Sequence, residues 1–498
     1  DHADYPLGMS ISIALAEGDG IGPEIMNATL RVFREAGVND LEFVPVEMGR
    51  RVFQRGDSRG MTDEAIRTIE DCGIVFKGPM ETPSGGGGKS INVTLRKLYG
   101  AFANLRHFQT LPGVETVYSK AGVHVDFYVV RENIEDTYGG IEHRLTPDVV
   151  ECKRLISAPG SDQVCQFAFR TAKQLGLTKV HCGHKANIMK MTDGLFLERF
   201  KVAAEGYPTI ETKDIIIDAL CMELVRRPHE YQMVVLTNLQ GDIVSDLAAG
   251  LVGGLGFAPS ANIGNHISIF EAVHGTAPDI AGRGLANPTS LLLSGLMMLR
   301  HLGLLRTAAT IENALLCALE DGVHTGDFGD PAIETVGTEG FASAVIERLG
   351  RQPTDPKPVP EADEPSFARR TRPMVNEYID VFVQSKSRHV GCDIYLEAKI
   401  NPNELVQQLE RLSETSPYRP TMISNRGTQI WPSGTVYTEL VDYHRVRFEL
   451  RPQYAHSEFG QGPTISLLAR IAERYPITDF QPLREYDGKP GYSLAQGQ

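Results

Sequence analysis

Gly85-Gly86-Gly87-Gly88-Lys89-Ser90-Ile91-Asn92-Val93-Thr94-Leu95-Arg96 is the stretch around which the rest of the sequence arranges itself. Four glycines remove side chains so that backbone N–H groups can approach a ligand closely, and Ser90, Asn92 and Arg96 follow at spacings that suit the start of a helix. Arg106 and Arg131 come next. Three guanidinium forks in one place suit a ligand with several carboxylates, each held bidentately, where lysines would hold it less specifically. The ending Gly88-Lys89-Ser90 imitates a nucleoside-triphosphate loop, but the opening glycine of that motif is here Pro83, whose fixed φ cannot replace it.

Upstream, Ile11 to Ala16 reads as a buried strand, and Gly18, Gly20 and Gly22 turn it into a helix at Pro23. These glycines do not match G-x-G-x-x-G, so a tight strand-to-helix turn without a ligand stands beside a dinucleotide reading. A helix over Met26–Ala36, a strand over Leu41–Val46, a capped helix over Thr62–Asp71 and a strand over Gly73–Lys77 follow. Alternating elements of this kind imply an α/β fold with a parallel sheet.

Downstream, apolar strands repeatedly end in polar groups, where open α/β sheets place ligands. Val123–Val130 delivers Arg131 and then Tyr138, Lys179–His184 delivers Lys185 and Asn187, Ile215–Asp218 ends on an acid, and Met233–Thr237 leads to Asp242 and Asp246. The last two are four apart and share a helix face, which suits either a hard divalent cation or complementation of a helix dipole. Glycine-rich Gly253–Gly264 precedes Phe270 to Gly282 and then Asn287-Pro288, and the helices Leu291–Leu299 and Ile311–Leu319 are apolar enough for a core or a subunit interface.

The 498 residues exceed one ordinary core, and 42% hydrophobic with 22% charged residues is the balance of a soluble globular chain. No apolar run is long enough to span a membrane. A net charge of −14 argues against nucleic acid as a partner. Seven scattered cysteines without a C-x-x-C pair fit a reducing cytoplasm, and His181-Cys182-Gly183-His184 lacks the second ligand pair of a zinc site. Residues 1–8 read as an extraneous leader before Met9-Ser10 and are set aside. Five prolines among Asp355–Pro373 mark a linker, after which strands at Glu377–Gln384, Val390–Glu397, Thr421–Ile430 and Val436–Glu449 and helices at Pro402–Leu412 and Pro463–Tyr475 make a small α+β module without a catalytic constellation.

On these motifs, from about Ser10 to Leu349, the chain resembles the β-decarboxylating isocitrate/isopropylmalate dehydrogenase family, and within it the isocitrate dehydrogenases. The resemblance implies large and small α/β domains: a large cofactor-binding domain of residues 9–100 and 254–350, a small domain of 101–253 with substrate, metal and dimer contacts, a linker at 351–375, and a C-terminal α+β extension at 376–498 like that of longer members. It implies an enzyme of the tricarboxylic acid cycle that oxidises and decarboxylates isocitrate, with Thr82, Ser90, Asn92, Arg96, Arg106, Arg131 and Asn187 binding substrate. Tyr138 and Lys185 would be catalytic, and Asp218, Asp242 and Asp246 would hold Mg2+ or Mn2+. Lys185 and Asp218 are expected to reach into the site of a second subunit, so a homodimer is implied.

Glu271, His274, Gly275, Thr276, Ala277, Asp279, Ile280 and Asn287 fall on the family's cofactor segment. Asp279-Ile280 stands where NADP enzymes carry Lys-Tyr to hold the 2′-phosphate, and Gly326 and Asp330 stand for a Tyr and an Arg, so NAD is the expected cofactor. Ser90 and Asn92 favour isocitrate over isopropylmalate, homoisocitrate or tartrate, and a phosphate on Ser90 would repel substrate carboxylates. A non-catalytic regulatory subunit would have lost Tyr138, Lys185 or a metal aspartate, and all are present.

Overall fold

A computed structural model describes residues 10–81, 90–360, 386–432 and 439–494. Thr82, the glycine run Gly85–Gly88, the strand expected at Glu377–Gln384 and most of the expected linker lie outside the described residues. The chain divides into two compact units, residues 1–139 with 155–378, and residues 140–154 with 379–498.

The first unit is built on a ten-stranded sheet. Its strands are β1 (Ile11–Ala16), β2 (Leu41–Pro45), β3 (Ile74–Lys77), β4 (Ala103–Gln109), β5 (Asp126–Glu132), β8 (Lys179–His184), β9 (Glu211–Ile216), β10 (Met233–Leu236), β11 (Pro259–Ile263) and β12 (Ser268–Ala272). They lie in the order β2-β1-β3-β12-β11-β4-β5-β10-β8-β9. The sheet is not all parallel as the alternating pattern suggests, because β11 runs antiparallel to both β12 and β4, and β4 antiparallel to β5. Only Gly264 to Ile267 separate β11 from β12, enough for a hairpin and far too little for a crossover. That hairpin was hidden in a stretch legible only as glycine-rich.

Helices cover the sheet. Those at Thr289–His301 and Leu305–Glu320 are buried almost all round and pack with the Gly22–Glu35 helix into the largest core, which explains why they are apolar on every face. The strand expected at Ile215–Asp218 is the end of β9, and the helix Ile217–Arg226 begins inside it, so Asp218 sits in a first helical turn.

The second unit holds a six-stranded antiparallel sheet in the order β15-β14-β16-β13-β17-β18. These are β13 (Ser387–Glu397), β14 (Tyr418–Asn425), β15 (Thr428–Trp431), β16 (Tyr443–Leu450), β17 (Ile477–Tyr486) and β18 (Lys489–Pro490). With helices at Pro402–Leu412 and Gly462–Ala472 the chain order is βαβββαββ around its own core. The single strand expected at Thr421–Ile430 is a hairpin, because Arg426 and Gly427 both take positive φ (52° and 76°). A small hairpin, β6 (Glu142–Arg144) with β7 (Val150–Cys152), also belongs to this unit, where Thr146 Oγ1 donates to Asp442 at 2.6 Å and Lys153 pairs with Asp479 at 3.1 Å. Among the described residues no helix is long and apolar enough to cross a membrane.

Candidate active site

The centre of the large sheet carries a row of polar residues that an ordinary core would exclude. Glu271 on β12 and Lys77 at the end of β3 are register partners and form a buried ion pair at 2.5 Å. Arg96, on the helix Ile91–Leu98 that follows the glycine run, donates Nη2–H to the same Glu271 carboxylate at 2.9 Å. Burial alone would raise the Glu271 carboxyl, but Lys77 and then Arg96 hold it far below the usual carboxylate range.

Arg106 on β4 donates from Nε to Asn104 Oδ1 at 2.8 Å and from Nη1 to Ser245 Oγ at 2.6 Å, with Asp246 3.8 Å away. Burial, then Arg131 and Arg96, pull its guanidinium down to about 10. Three cations so placed repel one another, and an anion bound among them would relieve that cost.

Arg131, at the end of β5 and 1% exposed, is fixed on every side. It donates to the carbonyl and side-chain oxygens of Asn238 at 2.8–3.1 Å and to Asp242 Oδ1 at 2.5 Å. Gly241 permits this approach, since a Cβ there would lie 2.5 Å from Arg131 Cγ. The Arg131 guanidinium also lies over the Tyr138 ring, 4.9 Å from its centroid, while the Tyr138 hydroxyl donates to Asp242 Oδ2 at 2.6 Å. Burial and the Asp242 bond raise the Tyr138 phenol. Burial works against the Asp242 charge, yet Arg131 and the Tyr138 hydroxyl keep its carboxyl low. Asp242 and Asp246 lie on the helix Asn238–Leu251, one turn apart.

A cavity of about 120 Å³ opens here, lined by Asn92, Arg96, Arg106, Lys77, Ser260 and Glu271 and continuing to Ala272–Gly275. Ser90 stands at the N-cap position of the Ile91–Leu98 helix, without a side-chain hydrogen bond to its first turn. Along the cofactor segment, His274 Nδ1 faces the Gly275 carbonyl at 3.0 Å while its Nε2 is buried without a hydrogen-bond partner among the described residues, and burial lowers its pKa. Among the described residues nothing lies within 4 Å of where a Cβ at Gly275 would be. Thr276 is spoken for on its backbone side: its carbonyl accepts Ile21 N–H at 2.9 Å, and Gly20, at φ +60°, has no room for a Cβ against it. Ala277 takes a positive φ of 39°, Ile280 packs on the core, Asp279 is exposed, and Asn287 donates to Asp327 at 3.1 Å.

Lys185, Asn187 and Asp218 form a separate group. Lys185 pairs with Asp218, which is 69% exposed, and Asn187 is exposed. Among the described residues no side-chain hydrogen bond or ion pair joins these three to the arginine cluster, and no three His, Cys, Asp or Glu residues lie close enough to hold a metal. Sequence reasoning missed Lys77, Asn104, Asn238, Ser245, Ser260 and Asn262. Lys77 carried a signal, a cation closing the apolar strand Ile74–Lys77; the others are common polar residues without a motif.

Residues 12–345 match the isocitrate/isopropylmalate dehydrogenase family, and residues 386–498 match the bacterial isocitrate dehydrogenase C-terminal domain. A relative from Thermus thermophilus, named isocitrate dehydrogenase [NADP], is 44% identical over 98% of this chain and 96% of its own. One from Rickettsia felis with the same name is 38% identical over 98% and 99%. A crystal structure of a protein from Thermus thermophilus superposes with a TM-score of 0.88 at 42% identity, covering 98% of this chain and 96% of that one. These names overturn the expectation of NAD, since both whole-length relatives are named for NADP. The physical weakness of that expectation is visible in the fold: Asp279 is solvent-exposed, as is Arg283 one turn further on, and repulsion from one screened carboxylate is worth only about 1 kcal/mol at contact distance in water.

Proposed function

Because the chain belongs to the isocitrate/isopropylmalate dehydrogenase family and carries the bacterial isocitrate dehydrogenase C-terminal domain, we propose that it oxidises isocitrate and decarboxylates it to 2-oxoglutarate and carbon dioxide with NADP. The observation that carries this reading is the pairing of Arg96 and Arg106 on one cavity, with Arg131 near enough to act on both charges and itself holding the Tyr138–Asp242 contact. Three forks match three carboxylates, and their mutual repulsion makes the site selective for a polyanion.

Asp242 and Asp246 supply two hard oxygen donors on one helix face, Asp246 being 64% exposed, and so fit Mg2+ or Mn2+. The ion would supply Lewis acidity toward the substrate hydroxyl and the enolate that decarboxylation leaves. Asp218 is the third ligand in this reading, contributed by a second copy of the chain. The orphaned His274 Nε2 and the open approach at Gly275 fit the adenine end of the dinucleotide, which supplies the hydride acceptor. Lys185 takes the hydroxyl proton, and Tyr138 returns a proton to the carbon from which carbon dioxide departs. Ser90 and Asn92 hold the substrate's distal carboxylate. Residues 9–100 with 254–350 serve the cofactor and 101–253 the substrate, metal and dimer contacts.

Two features support a homodimer with shared sites. Lys185 and Asp218 stand apart from the site they are assigned to serve, and the helices Ile217–Arg226 and Asn238–Leu251 leave Met222, Val225, Leu239 and Ile243 exposed. Free cysteines throughout suit a reducing cytoplasm. The test is substrate competition: with NADP and magnesium, isocitrate should be consumed with stoichiometric 2-oxoglutarate while 3-isopropylmalate is ignored. Turnover of isopropylmalate in its place would sink the reading.

A further inference from the structure

Arg106 and Glu271 do not touch, yet two buried asparagines join them. Arg106 Nε–H donates to Asn104 Oδ1 at 2.8 Å, Asn104 Nδ2 donates to Asn262 Oδ1 at 3.1 Å, and Asn262 Nδ2 donates to Glu271 Oε1 at 2.8 Å. Both amides are fully buried, and they face each other in register across β4 and β11. Their direction is dictated by the ends of the chain: a guanidinium can only donate and an ionised carboxylate can only accept, so each amide must present oxygen toward Arg106 and nitrogen toward Glu271. Asn133 Nδ2 adds a second donor to Asn262 Oδ1 at 3.0 Å, and Ser260 Oγ a second acceptor for Asn104 at 2.7 Å. Glu271 in turn holds Arg96 through that same Oε1 and Lys77 through Oε2.

We propose that Asn104 and Asn262 are positioning residues for tricarboxylate recognition: a polarised amide relay that sets Arg106 and Arg96 at a fixed separation before substrate arrives. The inference rests on the isocitrate reading above. Neither asparagine is assigned to touch substrate, so each acts through the arginines. Two like charges held close in a low-dielectric site need such a brace, and head-to-tail amides between opposite charges reinforce one another.

The test uses the full-length protein with Asn104→Leu, Asn262→Leu and both together. KM for isocitrate should rise about 10-fold in each single variant, with kcat and KM for NADP within about threefold, because a lost hydrogen bond to a charged group is worth about that factor. The double variant should also be about 10-fold impaired, since the two act as one relay. Additive impairment near 100-fold, parallel loss of kcat, or an unchanged KM would overturn the relay. Should the leucine variants not fold, Asn104→Ser and Asn262→Ser are read by the same criteria. Thermal stabilisation by citrate, without metal or cofactor, gives a readout independent of turnover. Wild type stabilised by citrate but inactive on isocitrate would overturn the functional reading alone, and the relay would then stand if both variants lose at least half of the stabilisation and fall if they keep it. Wild type neither active nor stabilised would overturn both.

Discussion

Arg131 shows how far a single side chain can be committed before a ligand arrives. Four hydrogen bonds to Asn238 and Asp242 fix its fork. An Arg131→Lys variant keeps the charge and loses the planar geometry, so KM for isocitrate should rise about 10- to 100-fold in steady-state kinetics. Lys77 is a different case, 1% exposed and anchored on Glu271. Lys77→Met leaves Glu271 with one fewer counter-ion in the interior, and urea denaturation should show a loss of about 3–5 kcal/mol. The low Glu271 carboxyl contributes stability that is present above its unfolded value near 4.5 and is lost only as pH falls through its folded value. Glu132 has the opposite sign. Burial raises its carboxyl to about 7, so between 4.5 and 7 the folded chain keeps a proton that the unfolded chain has released, and stability declines as pH rises. Glu132→Gln removes that dependence, and its gain in unfolding free energy over wild type, read from urea denaturation, should grow from pH 5 to pH 8, up to a limit of about 3 kcal/mol. A constant difference across that range would contradict the assignment.

At the scale of elements, the helix Asn238–Leu251 has two jobs in this account: Asp242 and Asp246 face the site while Leu239 and Ile243 lie exposed. If Lys185 serves the partner's site, Tyr138→Phe and Lys185→Met chains, each inactive alone, should regain activity when co-expressed. Random pairing leaves one intact site in half of the dimers, so roughly a quarter of wild-type activity should appear. Activity that stays at the level of the separate variants would place Tyr138 and Lys185 of one chain in the same site. The strands that carry Arg131 and lead into the Asp242 helix were legible because a short apolar run rich in valine is the pattern of a buried strand. β11 was not, since Pro259-Ser260-Ala261-Asn262-Ile263 carries two polar residues on one face that only a buried network makes sense of. Asn104 and Asn262 were invisible for the same reason: a buried amide has no signature in one sequence, because its partners come from other strands.

At the scale of the whole molecule, the two units follow different rules. The first unit collects the candidate site on a mixed sheet, and the second is a six-stranded antiparallel module with its own core, to which the hairpin Glu142–Cys152 also belongs. That hairpin leaves the first unit directly after Tyr138-Gly139 and returns at Leu155, a division that composition could not announce because its residues look like any polar loop. Cofactor choice was the functional expectation that failed, and it rested on a few charges in a solvated loop, where electrostatics is weakest. The central claim is turnover of isocitrate with NADP. Its most direct test is the initial rate of reduced-dinucleotide formation from isocitrate and magnesium, with NADP and NAD compared at matched concentrations. NADPH formation should run well above NADH formation, accompanied by equimolar 2-oxoglutarate; a preference for NAD, or no rate with either, would contradict the assignment.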